Sequence, residues 1–203
     1  METQQTESQN LLVSNEDYLK SGIHIGTKFK TKHMKKFIYK TRSDGLSVLD
    51  IEQIDERIKV AANMLSKYEA KDIIIACRRE NGWKAVKKFA EITGCQFYAG
   101  RYPPGVLTNP ELENFKEAKI ILVVDAWPDR NAIKDALKVG IPVIALCDSN
   151  NQSNNIDLVV PCNNKGKKAI GLTFYLLAKL YCEHTGLIAK KDFDYQLEDF
   201  TEE

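Results

Sequence analysis

Nowhere in this chain do eighteen apolar residues run together, and its first ten residues, METQQTESQN, have neither a basic start nor an apolar stretch. A membrane-spanning helix and a secretory leader are therefore not expected, and a cytoplasmic setting is. Cysteine is sparse and unpatterned: five residues, at 77, 95, 147, 162 and 182, with no C-x-x-C pair. That offers no disulfide framework. Cys77, Cys147 and Cys162 close apolar, β-branched runs, where a thiol acts as a small hydrophobe in a reduced compartment. Only three histidines occur, His24, His33 and His184, none at metal-ligand spacing with a cysteine, so no metal site is expected. Neither G-x-G-x-x-G nor G-x-x-x-x-G-K-[ST] is found, so no nucleotide cofactor is expected. No Ser/His/Asp or Cys/His set can be drawn, and no catalytic residue is assigned.

What the chain does contain is alternation. Its 203 residues, 43% hydrophobic, suffice for one core. Ser14 and Asp17 form a weak capping box ahead of a short helix, NEDYLKSG. KFIYKTRSDGLSVLD reads as two short strands turned at Ser43-Asp44-Gly45, where glycine supplies positive φ. From Ile51, the residues Ile54, Ile58, Ala61, Leu65 and Tyr68 recur every three or four positions, predicting an amphipathic helix to about Ala70. Then come DIIIAC, QFYAG, KIILVVD, PVIALCD and DLVVPC, rich in Ile and Val, interleaved with GWKAVKKFAEIT, DRNAIKDALKV and KKAIGLTFYLLAKLYCEHTG. Strands apolar on nearly every residue are buried on both faces, so the alternation predicts an α/β fold: a parallel sheet with helices on each side. One domain is expected over 14–188, containing a basic hairpin at 26–50, with a flexible lead at 1–13 and an acidic tail at 189–203.

The most uneven feature is an absence of acid. The formal net charge is +1, yet residues 20–42 hold eight Lys or Arg and no carboxylate. Phe29, Phe37 and Tyr39 lie among these cations, offering stacking faces beside phosphate-binding groups. Such a run is either a solvated face or a site whose counter-charge comes from a polyanion, and nucleic acid is the leading candidate. Reading just past the strands gives Arg78-Arg79, Arg101-Tyr102, Asp125, Asp148 and Asn163-Asn164-Lys165-Gly166-Lys167-Lys168. Lysines crowded onto a helix N-terminus, beside asparagine and glycine, are arranged like an anion site, or else form a solvated first turn. Asp125 and Asp148, both ending strands, are either turn residues or a pair able to hold Mg²⁺.

Five collinear stretches carry a resemblance: GIHIGTKFKTKHMKKFIYKTRSDGLSVLDI, AGRYPPGVLTNP, VVDAWPDRNAIKDA, PVIALCDSN and VVPCNNKGKKAIGL. Together they resemble ribosomal protein two of the small subunit, in its archaeal and eukaryotic branch. The resemblance implies a flavodoxin-like five-stranded parallel sheet with an added N-terminal hairpin and no catalysis. It also implies a monomer within the ribosome that contacts small-subunit ribosomal RNA near the head–body junction, beside neighbouring ribosomal proteins. The protruding coiled coil of bacterial members has no room here, with about ten residues between Asn109 and the next strand. Joined to the charge pattern, the resemblance nominates Lys28, Lys30, Lys32, Lys35, Lys36 and Arg42 as RNA contacts. Arg78, Arg79, Lys84, Arg101, Tyr102, Thr108 and Asn109 extend that footprint. Lys165, Lys167 and Lys168 would meet RNA or a neighbouring protein. Two rival classes stand beside this reading. An α/β phosphate- or nucleotide-binding enzyme requires Asp125, Asp148 and the 165–168 turn to converge on one pocket. A protein-binding scaffold would use the acidic ends.

Overall fold

The computed structural model describes residues 11–188 and 193–201. Helix α1 (Asn15–Ser21) starts at Ser14, whose Oγ accepts the Asp17 N–H, and stops at Gly22, whose φ of 68° only glycine adopts cheaply. Strands β1 (Ile38–Thr41) and β2 (Ser47–Leu49) form the antiparallel hairpin, with Gly45 at φ 86° in the turn. Helix α2 (Ile51–Leu65) follows, capped by Asp50. It ends about a turn short of the expected Ala70: the chain turns at Ser66–Tyr68 and enters a short 3-10 turn at Ala70–Asp72. The apolar period continues past the helix because Tyr68 still packs on the core.

Five parallel strands then alternate with helices: β3 (Ile73–Cys77), α3 (Trp83–Thr93), β4 (Gln96–Ala99), β5 (Ile120–Val123), α4 (Arg130–Val139), β6 (Val143–Cys147), β7 (Leu158–Pro161) and α5 (Lys167–Thr185). Their order is β4-β3-β5-β6-β7. All five residues of β3 and of β6 are buried, as their unbroken apolar sequences require. Strand β4, at the edge, is half exposed instead, and Phe97 faces outward. The chain leaves β3 leftward through α3 and β5 rightward through α4, so right-handed crossovers put these helices on opposite faces. Helix α5 packs against α2 and α3 in one layer. On the other face α4 is joined by the irregular 100–118 loop, whose Gly105 N–H donates to Asp135 Oδ2 at 2.9 Å and whose Tyr102, Val106 and Leu107 are buried.

Residues 193–201 add a four-residue helix, α6 (Glu198–Thr201), against α3 and α5. Phe200 is buried, its ring edge-on to Tyr175 with centroids 5.8 Å apart. Gly171 makes room for it: a Cβ there would lie 2.3 Å from Thr201 Cγ2. Acidic composition concealed an aromatic anchor.

Candidate nucleic-acid interface

Strands are added to the left of β3 and to the right of β5, so the crevice at the carboxyl ends of these two parallel neighbours is where an open α/β sheet ordinarily takes a ligand. Here that crevice is closed by the protein's own charges. Arg79, just past β3, donates from Nε to Asp125 Oδ2 at 2.6 Å, and its Nη2 reaches the same oxygen. Asp125 Oδ1 accepts from the Trp127 N–H at 3.1 Å and from Asn151 Nδ2 at 2.9 Å. One strand over, Lys165 Nζ donates to Asp148 Oδ2 at 2.6 Å and to Asn150 Oδ1 at 3.0 Å. Asn151 Oδ1 receives the Asp148 N–H and Asn164 Nδ2, completing a buried polar network. Asp125 and Asp148 do come near each other, as the enzyme reading required. Their oxygens are taken up by these partners and by the Ser149 N–H on Asp148 Oδ1, so the two do not form an open carboxylate pair facing solvent.

The N-terminus of α5 is closed only in part. Asn163 Oδ1 accepts both the Lys165 and the Gly166 N–H, each at 3.1 Å, which braces the turn into the helix, while the first-turn N–H groups have no side-chain cap. Lys168 is exposed and Lys167 partly so. Asp129, at the start of α4, is buried with Oδ1 unpartnered and Oδ2 accepting the Arg78 N–H at 3.2 Å. Burial pushes its pKa up to about 6.

The basic run is built differently. It is stapled to the loop after β6 by its small residues. The Thr27 N–H donates to Ser149 Oγ at 2.9 Å, the Thr31 N–H to Ser149 O at 3.0 Å, and Thr31 Oγ1 to Asn151 O at 2.7 Å. His33 Nδ1 and Ser153 Oγ are 3.0 Å apart. Gly26 allows this approach, since a Cβ there would come within 2.9 Å of Asp148 Oδ1. Burial holds the His24 imidazole below its usual pKa, as expected of a packed histidine. Next, a 3-10 turn at Lys35–Phe37 drives Met34 and Phe37 into the core and leaves Lys35 and Lys36 outside.

The anchoring residues face inward while the cations face out. Lys28, Lys30, Lys32, Lys35, Lys36, Lys40 and Arg42 are all exposed. Among the described residues Arg42 alone of these pairs with a carboxylate, Asp44 at 3.4 Å. Both partners are half exposed, so that pair is weak. Lys30 Nζ instead donates to the neutral Thr41 hydroxyl, and Lys36 Nζ lies 4.9 Å from the Phe37 centroid. Phe29 and Tyr39 are 80% and 72% exposed, whereas Phe37, expected to offer a stacking face, is a core residue.

The remaining nominated residues divide. Arg78 and Arg101 are exposed and Lys84 is partly buried. Tyr102 is 3% exposed, set edge-on to Tyr98 with centroids 5.5 Å apart, so its ring belongs to the core. Asn109 Oδ1 accepts the Glu111 N–H at 3.1 Å and braces its own turn; Thr108 donates its N–H to Gly105 O at 3.0 Å. This loop follows β4, three strands from the β6 loop that holds the basic run, or about 14 Å at ordinary strand spacing. Arg79 and Lys165 are bound to buried acids. The sequence reading missed the anchors Thr27, Thr31, Ser149 and Asn151. It also missed Trp127, which stands 70% exposed beside these loops. A tryptophan placed just after a strand, before proline, was the available signal.

Comparison with known proteins adds an independent finding. The family model described as ribosomal protein S2 matches residues 18–119 and 111–183. A small ribosomal subunit protein uS2 from Thermoplasma acidophilum is 43% identical over 193 residues, spanning 95% of this chain and 97% of its own. The protein of that name from Methanococcus maripaludis is 43% identical over 194 residues, 96% of this chain and 87% of the relative. The one from Nanoarchaeum equitans is 46% identical over 175 residues, 86% and 87% of the two chains.

Proposed function

The chain belongs to the ribosomal protein S2 family, and on that premise we propose that it binds small-subunit ribosomal RNA through its basic segment, near the head–body junction, and supports subunit assembly. As a family member it is a structural constituent of the small ribosomal subunit, serving translation without catalysis. The observation that carries the RNA reading is the outward fan of ammonium groups at 28, 30, 32, 35, 36 and 40, none paired with a carboxylate among the described residues, on a segment pinned to the sheet edge. Unrelieved like charge on a rigid support favours a polyphosphate partner, and counterion release supplies the driving force. Arg78, Lys84, Arg101 and Lys168 widen the footprint as exposed or partly exposed cations. The protein acts in the cytoplasm as a monomer within the ribosome, beside neighbouring small-subunit proteins.

Reversing the charge of Lys32, Lys35 and Lys36 together tests this. The triple variant should keep its circular dichroism and melting temperature yet fail to enter the small subunit on gradient sedimentation. Normal incorporation would remove the basic segment from the interface.

A further inference from the structure

Trp127 follows β5 at the reversal point of the sheet, and its indole is 70% exposed. The backbone that carries it is fixed: the Trp127 backbone N–H donates to Asp125 Oδ1 at 3.1 Å, and Pro128 sets the next φ. The ring therefore stands on a held stretch of chain beside the crevice that the Arg79–Asp125 pair closes.

Both flanks of the ring are concave. One hollow of about 540 Å³ is lined by Arg78, Arg79, Pro128 and Arg130. The other, about 560 Å³, is lined by Arg130, Lys134 and amide side chains of the 150–155 loop, among them Gln152, Asn154 and Asn155. Arg78, Arg130 and Lys134 are exposed and form no ion pair among the described residues. Asp125 and Asp129, on either side of Trp127, are buried and turned inward, and no carboxylate is among the residues lining either hollow. An exposed indole, flanking cations without counter-ions and amides that both donate and accept make a chemical combination suited to an unpaired nucleotide. The ring stacks the base, the cations meet its phosphates, and the amides meet its edge.

We propose that Trp127, with Arg78 and Arg130 on one flank and Gln152 and Asn154 on the other, forms a subsite for an unpaired RNA nucleotide, distinct from the backbone-reading lysines at 28–42. It rests on the RNA-binding reading but assigns a different task. The lysines recognise charge on any RNA, paired or not, whereas the indole recognises only a base free to leave its stack. A neutral or basic peptide fits less well, because each hollow is lined by arginine and neither by a carboxylate.

The test uses the full chain in a Trp83→Phe background, which leaves Trp127 as the single indole. A single-stranded oligoribonucleotide of about ten residues should quench its fluorescence, and a duplex of equal length should not. Trp127→Ala should weaken single-strand binding about 5- to 150-fold, without changing duplex affinity or the salt slope, because stacking releases no counterions. Trp127→Phe should recover most of that loss. Unaltered single-strand affinity in Trp127→Ala overturns the subsite, as does equal quenching by both RNAs. If the Lys32/Lys35/Lys36 reversal still weakens both RNAs in that case, the broader RNA reading stands and only the subsite falls.

Discussion

The cations of this protein fall into two populations that look alike in sequence and are opposite in structure. Arg79 and Lys165 lie over the sheet's carboxyl edge, each gripping a buried aspartate in the 125–165 network. Lys28 to Lys40 ride on a segment anchored to that same edge and, among the described residues, reach outward to no acid. The first group completes the fold, and the second is complete only with another molecule. Charge of one sign thus carries two meanings, and which applies depends on whether the chain supplies the counter-charge.

The largest expected effect is on the closed side. Arg79→Met leaves Asp125 buried, and Lys165→Met does the same to Asp148. Stranding a buried carboxylate costs about 3–5 kcal/mol, so either variant should unfold at much lower denaturant concentration. Lys32→Met or Lys35→Met should shift stability by less than about 0.5 kcal/mol. Equal melting of Arg79→Met and Lys32→Met would erase the distinction.

Asp129 sharpens it from the acid side, because this buried carboxylate receives a backbone N–H but forms no ion pair among the described residues. Its folded pKa, near 6, lies above the unfolded value of 3.8. The neutral form is therefore the one the fold prefers: its contribution is intact below the unfolded pKa and is lost as pH rises through 6. Asp129→Asn should stabilise the protein by up to about 3 kcal/mol at neutral pH, with the gain vanishing toward pH 4. Urea titrations at both values measure this. A gain that does not change with pH would refute the assigned cause.

How much of this was legible beforehand follows from the same contrast. The five strands, the hairpin and its glycine turn were readable because each rests on local pattern: β-branched runs, one turn glycine, periodic apolar residues. Helix α2 was overextended because Tyr68 keeps the period while belonging to a turn. The pairing of cations was not readable. Arg79 meets an acid 46 residues away and Lys165 one 17 residues away, and only the sheet order brings them together. Likewise Tyr102 and Phe37 read in sequence as surface aromatics because basic residues adjoin them, although each side chain is buried. The lysine run was legible for the converse reason: no acid interrupts residues 20–42, and among the described residues only its two ends are paired, Lys20 with Glu16 and Arg42 with Asp44, each by a near neighbour in sequence.

Anchoring and charge are separable by experiment. Ser149 is fully buried and serves the basic segment through its hydroxyl, which accepts the Thr27 N–H and lies 3.0 Å from the Phe29 carbonyl. Ser149→Ala strands these groups at a cost of about 1–3 kcal/mol and leaves every lysine in place. RNA affinity should fall while its salt slope holds, since the phosphate contacts stay the same in number but lose their preorganisation. A changed slope would mean that the serine's removal also detaches cations from the RNA.

The smallest structural effect carries the most specific functional reading. Each exposed lysine that meets a phosphate contributes about 0.7–0.9 to the slope of log affinity against log salt. Neutralising Lys28, Lys32 and Lys35 one at a time and then together should lower that slope stepwise with the melting temperature unchanged. Lys165→Met should do the reverse, costing stability while leaving the slope alone, because its ammonium already has Asp148 as its counter-ion. Two charges of the same kind on the same edge of one sheet would then be told apart by a salt titration and a melt. A lysine that moved both readouts would belong to neither population, and the division drawn from geometry would have to be redrawn around it.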